Sequence, residues 1–147
     1  MKIQLNCEKI SIRDNRLKKS VLVIDDNYFS RFIAAKIIEA NGCNVKTVKS
    51  GSEALITLIQ QPVDLIVLDW SMPKYDGGDT LMFLDRLMKK LMISLPYVIY
   101  TGLDPQLIEL PYTKRLHLID FWHKNDELFS WHKSAKNLVQ RLQRRKL

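Results

Sequence analysis

The run Leu65-Ile66-Val67-Leu68-Asp69-Trp70-Ser71-Met72-Pro73-Lys74-Tyr75-Asp76-Gly77 constrains this chain more than any other stretch. Its apolar residues stop at a carboxylate, and turn-forming residues follow within a few positions. A strand that is apolar on both faces belongs in a parallel sheet covered by helices, and such sheets place ligand sites just beyond the carboxyl ends of their strands. Asp69 stands at that edge. A single Asp after a strand equally fits a helix N-cap or a turn, so its assignment depends on what the other strands bring to the same edge.

The same pattern recurs upstream, where Val21-Leu22-Val23-Ile24 stops at Asp25-Asp26-Asn27. Tyr28 and Phe29 then begin a helix in which Phe29, Phe32, Ile33 and Ile37 recur at helical spacing, closed at Asn41-Gly42, because glycine takes the left-handed conformation that ends helices. Val45 to Val48 reads as a short strand. Ser50-Gly51-Ser52-Glu53 has capping-box spacing, and Ala54, Leu55, Leu58 and Ile59 form the apolar face behind it. Pro62 breaks that helix before a strand from Val63 to Leu68, and Leu81, Leu84, Met88 and Leu91 mark a third helix after Gly77-Gly78. Pro96 opens the strand Tyr97 to Thr101. Pro105 and Pro111 leave room only for a short or irregular fourth helix around Gln106 to Leu110, since each proline removes a backbone donor and crowds the preceding turn. Leu116 to Trp122 makes a fifth strand. Leu128, Trp131, Ala135, Leu138 and Leu142 give a long amphipathic last helix, with Lys133, Lys136 and Arg141 off the apolar stripe.

Strict alternation of strand and helix predicts an α/β fold, a five-stranded parallel sheet with helices on both faces. All strand carboxyl ends then share one edge, which collects Asp25, Asp26, Asn27, Asp69, Thr101 and Lys124. Carboxylates that converge in one cleft repel one another, so they either raise a pKa or hold a cation. Mg²⁺ suits them, because it binds through one or two carboxylates and shares its remaining positions with phosphate oxygens. A lysine and a hydroxyl are useful where a phosphoryl group carries charge on its outer oxygens, and an Asp can itself be the nucleophile that forms an aspartyl phosphate. Asp69 is the candidate. The first strand-to-helix turn, Asp-Asp-Asn-Tyr-Phe, has none of the glycines of a P-loop or a dinucleotide fingerprint. A haloacid-dehalogenase phosphatase would need a second Asp two residues after the first, where Ser71 stands here.

The length of 147 residues and 46% apolar content fit one domain with its own core. We expect a basic N-terminal extension over residues 1–19 and the folded domain over 20–147. No apolar run is long enough to cross a bilayer, and the first twenty residues lack a signal peptide's apolar segment; a cytoplasmic protein with no membrane contact is the expectation. Cys7 and Cys43 form no Cys-x-x-Cys pair and receive no role. His117, His123 and His132 share no ligand spacing and belong at surface or edge positions. The net charge of +7 gathers at the ends, from Lys2, Lys9, Arg13, Arg16, Lys18 and Lys19 to Lys133, Lys136, Arg141, Arg144, Arg145 and Lys146. Such clusters are more often solvated faces than nucleic-acid readers, and nucleic-acid contact stands as an alternative.

Taken together, Val-Leu-Val-Ile-Asp-Asp-Asn, Leu-Asp-Trp-Ser-Met-Pro-Lys-Tyr-Asp-Gly, Tyr-Thr-Gly and Asp-Phe-Trp-His-Lys resemble, in order and separation, the receiver domain of two-component response regulators, over Ser20 to about Leu142. The resemblance implies the (βα)5 flavodoxin-like fold and a stand-alone phosphoacceptor rather than an enzyme, with slow autodephosphorylation at most. It implies Asp69 as phosphoacceptor, taking its phosphoryl group from a sensor histidine kinase or phosphotransfer protein. It further implies that Asp26 and Asp69 bind Mg²⁺ directly, that Asp25 acts mostly through water, and that the Ser71 backbone carbonyl adds a ligand. Thr101 would bond the phosphoryl oxygen, Lys124 would pair with it, and Phe121 would move inward as the aromatic switch. A protein target would meet the face formed by the fourth helix, fifth strand and last helix. Ser71 and Leu103 flank the path of attacking water. The chain departs from the family in two places: Asn125 follows Lys124 where proline is usual, and the Pro105 to Pro111 segment is irregular. A receiver-like adaptor that signals without phosphate is therefore the second reading.

Overall fold

The computed structural model describes residues 18–125 and 128–144, without the side chains of 128–130; the proposed extension before Lys18, with Cys7, lies outside them. Five strands alternate with helices: β1 (Ser20–Ile24), α1 (Tyr28–Ala40), β2 (Asn44–Val48), α2 (Gly51–Gln60), β3 (Leu65–Leu68), α3 (Gly77–Leu91), β4 (Leu95–Thr101), β5 (Leu116–His123) and α4 (Leu128–Arg144). The sheet is parallel throughout, in the order β2-β1-β3-β4-β5. The α/β expectation holds.

Why the central strands read as unbroken apolar runs is visible in their burial. Val21 to Ile24 and Leu65 to Leu68 are inaccessible on both faces. On one face Leu22, Ile24, Ile66, Leu68 and Ile99 pack with Leu81, Leu84 and Met88 of α3. On the other, Val21, Val23, Val67 and Val98 pack with Ile37 and Ile38 of α1 and with Trp131, Ala135, Leu138 and Leu142 of α4. Those four fall on the α4 stripe expected from sequence. Trp131 of that stripe packs on Trp122 of β5, stacked with centroids 5.7 Å apart.

Four local expectations shift. The buried face of α1 is Ala34, Ala35, Ile37 and Ile38, while Phe29 is 73% exposed and Phe32 about half so; Phe32 is stacked on Tyr28, with the Lys36 ammonium over its ring. Ile59 of α2 is also exposed, because the helix turns Ala54, Thr57 and Leu58 inward. Strand β3 begins at Leu65 rather than Val63, since the Asp64 amide and carboxylate are both spent on the Ser20 backbone. The fourth helix is a single 3-10 turn, Pro105–Leu107, capped by the Asp104 carboxylate, with no helix as far as Leu110. Strands β2, β4 and β5 run a residue or two beyond their expected ends.

The segment after that turn is tied down from α3. Asp85, buried on the inner face of α3, accepts from the amides of Lys114, Arg115 and Leu116. Its carboxylate also pairs with the Lys89 ammonium at 3.0 Å. Strand β5 therefore enters the sheet beside β4 despite the missing helix.

Candidate phosphoryl-transfer and metal site

Parallel strands of matched register set Asp25, Asp69, Thr101 and Lys124 at one edge of the sheet. The Asp69 amide donates to Ile24 O at 2.8 Å, and the Lys124 amide donates to Thr101 O at 2.8 Å. These bonds extend the ladders one residue past the strands and align the loops. Asp25 and Thr101 are fully buried, Asp69 is 3% exposed and Asp26 faces solvent.

Carboxylate oxygens of Asp25, Asp26 and Asp69 all lie within 4.8 Å of one another. The Lys124 ammonium reaches in from the next loop, 2.8 Å from Asp25 Oδ2 and 3.2 Å from Asp69 Oδ2. Each buried carboxylate also accepts a nearby amide, Asp25 from Asn27 and Asp69 from Ser71. The turn role weighed for Asp69 is thus real, but it engages Oδ1 and leaves Oδ2 facing Lys124. The Arg31 guanidinium donates to the Asp25 backbone carbonyl at 2.7 Å, pinning the first loop from within α1. Burial first, and the Asp25 carboxylate second, push the Asp69 carboxyl up to about 6, against the pull of Lys124 and the Ser71 amide.

Thr101 accepts at its hydroxyl from the Leu103 amide, 3.3 Å away. Phe121 is half-buried against the core cluster that contains Ile99, its partner in register across β4 and β5. The mouth of the site is an open cleft lined by Asp26, Ser30, Asp69, Ser71, Leu103 and Lys124. The loop after Asp69 is held by Gly77, whose amide donates to Trp70 O. A Cβ on Gly77 would stand 2.6 Å from Trp70 Cε3 and 2.8 Å from Trp70 Cα, so no larger residue fits without moving that loop. The Lys124–Asn125 peptide is trans, and Asn125 Nδ2 donates to Gly102 O at 3.4 Å.

Asp25, Asp26, Asp69, Ser71, Thr101 and Lys124 come together at this edge, while Phe121 stands two residues short of it, opposite Ile99. Sequence reasoning missed Arg31 and Tyr100, and it noted Asn125 only as a departure from the family pattern. The Lys124 ammonium lies 4.9 Å from the Tyr100 ring centroid, yet strand alternation assigns Tyr100 to the face opposite Thr101. Only the curl of the β5 loop over the sheet end brings that ring under Lys124.

The donor set fits a hard divalent ion: three carboxylates with one solvent-facing member, and a buried pair that a single ammonium partly neutralises. Comparison with known proteins agrees with this chemistry. The family model described as response regulator receiver domain matches residues 21–109. The CAI-1 autoinducer sensor kinase/phosphatase CqsS of Vibrio cholerae is 29% identical over 100 residues, 68% of this chain but 14% of that protein. The receiver domain of the histidine kinase CKI1 from Arabidopsis thaliana, crystallised with Mg²⁺ and BeF3⁻, is 32% identical over 63% of this chain and 72% of that one, with a TM-score of 0.56. A CheY-like receiver domain from Methylobacillus flagellatus shares the fold at 17% identity, covering 85% of this chain and 98% of that one with a TM-score of 0.62.

Proposed function

Because the chain belongs to the response regulator receiver domain family of two-component signalling, we propose that it accepts a phosphoryl group on Asp69 from a sensor histidine kinase or phosphotransfer protein and thereby switches its binding to a protein target. The observation that carries this reading is the Lys124 ammonium bridging Asp25 and Asp69 beside the solvent-facing Asp26. An oxygen of Asp69 attacks phosphorus, the bond from phosphorus to the donor's imidazole nitrogen breaks, and its electron pair stays with that nitrogen, which takes up a proton. A mixed anhydride on Asp69 results.

Asp26 and Asp69 would hold Mg²⁺ directly, with Asp25 through water and the Ser71 carbonyl as a further oxygen; the bound ion offsets the charge on the phosphoryl oxygens. Lys124 is already within reach of the reacting carboxylate and pairs with a second phosphoryl oxygen. The Thr101 hydroxyl, which accepts from the Leu103 amide, donates its own proton to the third as it is drawn inward, and Phe121 follows it. The new doubly charged group thus interacts differently with two arrangements of the same loops, as a population shift requires. The protein acts as phosphoacceptor, with hydrolysis of the anhydride set at the mouth by Ser71 and Leu103.

Incubation with Mg²⁺ and a small phosphodonor is expected to add one phosphate by intact-mass measurement. Asp69→Ala should gain none. Phosphate on that variant, or none on the wild type, would refute the assignment.

A further inference from the structure

We infer that Tyr100 is a positioning residue for Lys124, its ring forming the seat that holds the ammonium over the phosphoryl site. The inference rests on the proposed function, since it concerns the same lysine and the same reaction. The Lys124 backbone is tied to β4 through its amide bond to Thr101 O, and the following residue is tied to Gly102 O through the Asn125 side chain. Neither contact sets the direction of a four-carbon side chain. That direction is set at its far end, where the ammonium has Asp25 Oδ2 at 2.8 Å, Asp69 Oδ2 at 3.2 Å and the Tyr100 ring centroid at 4.9 Å.

An ammonium over a tyrosine face is attracted by the negative charge of the π-cloud, and the attraction strengthens where water is excluded. Tyr100 is 4% exposed, so the contact is largely dry. The ring cannot swing away. It lies against Trp131 at 5.3 Å, tilted, and Trp131 is itself stacked on Trp122, whose indole Nε1 donates to Asp120 Oδ2 at 3.0 Å. Aromatic side chains from β4, α4 and β5 therefore build one rigid wall behind Lys124. The consequence is specific. A lysine that pivoted freely would spend its charge on Asp25 and Asp69 alone, whereas one held on the ring face stays poised where a phosphoryl oxygen arrives, and α4 is joined to the position of that ammonium through Trp131.

The test uses the full chain in five forms: wild type, Tyr100→Leu, Tyr100→Phe, Lys124→Ala, and Tyr100→Leu in the Lys124→Ala background. Two readouts are taken. In NMR spectra the Lys124 ε-methylene protons, attached beside an ammonium that lies over the ring, should be shifted upfield in the wild type and in Tyr100→Phe, and should return to ordinary lysine positions in Tyr100→Leu. In phosphorylation by a small phosphodonor with Mg²⁺, Tyr100→Leu should slow uptake by about 5- to 30-fold, the range of a partly to well-desolvated ammonium–ring contact, with Tyr100→Phe near wild type. In the Lys124→Ala background the same substitution should add no further slowing.

Circular dichroism and thermal melting identify a Tyr100→Leu protein that does not fold, in which case the Tyr100→Phe and Tyr100→Met pair carries the comparison, the thioether filling the space without a ring face. Wild-type protein that takes up phosphate while Tyr100→Leu is unimpaired, or is slowed equally with and without Lys124, overturns the inference and leaves the functional reading standing. Wild-type protein that takes up no phosphate overturns the functional reading itself, and the Lys124 shifts then report only whether the ring seat exists.

Discussion

Lys74 sits in the loop after Asp69 at a φ of 69°, in the left-handed region that L-residues enter at a cost. That conformation penalises most side chains by about 1–2 kcal/mol, whereas Asn bonds its own backbone there and tolerates it. Lys74→Asn is therefore expected to stabilise the protein by roughly 0.5–1 kcal/mol, read as a higher denaturant midpoint at unchanged slope. Asp85 presents the opposite case. Burial works against its charged form, but the amides of Arg115 and Lys114 and the Lys89 ammonium outweigh it and hold the carboxyl below the usual range. A depressed carboxyl contributes stability that is fully present above its unfolded pKa of about 3.9 and is lost as pH falls through the lower folded value. Asp85→Asn should thus cost roughly 1–3 kcal/mol at neutral pH, the penalty of under-satisfied buried amides. The gap between the two proteins should close below about pH 4, as denaturant titrations across pH would register.

At the scale of elements, the part that departs from regular alternation is the connection between β4 and β5. Two prolines limit it to one 3-10 turn, and Leu107 and Tyr112 stand 75% and 90% exposed along it. Few of its amides have backbone partners, those of Leu107 and Ile108 within the turn among them. The amides of Lys114, Arg115 and Leu116 are held by Asp85. Hydrogen exchange should therefore be fast from Gln106 to Thr113, turn to strong protection at Leu116, and spread into β5 in Asp85→Asn; uniform protection across the connection would contradict this account. The prolines announce the missing helix. Asp85 does not announce itself, because a lone acid in the middle of an amphipathic helix reads as a solvated residue until its partner strand is in place.

For the molecule as a whole, the acidic edge links stability to metal and pH. With its carboxyl raised to about 6, Asp69 favours the protonated form in the folded state. The stability this group contributes is accordingly present below its unfolded pKa of about 3.9 and is lost as pH rises through about 6. Mg²⁺, if held by the ionised form as proposed, would reverse that loss. At a fixed concentration a hundred-fold above its Kd at pH 8 it should stabilise the fold by about 2.7 kcal/mol at pH 8 and by progressively less below pH 6, where protonation raises the Kd. Asp26→Asn should abolish most of the gain in a thermal melt. A gain of equal size at pH 5 and pH 8 would sink this account. No helix among the described residues is long and apolar enough to cross a membrane.

The sequence alone determined the alternation of strands and helices, the shared edge and the residues that gather there. Each of those follows from local causes: apolar runs of strand length, helical spacing, and the rule that parallel strands end together. It also limited the fourth helix to a short or irregular one, since proline's effect is local. Only the tertiary structure decided which side of α1 is buried, that Lys124 bridges two carboxylates, and that Tyr100 lies beneath it. Those depend on sheet twist, on the bulge between Tyr97 and Val98 in the β4–β5 pairing, and on how a loop curls over the strand ends. Asp69 was visible as an acid at the mouth of a buried strand. Its pairing with Lys124, from a loop more than fifty residues away, exists only once the sheet has closed the distance between them.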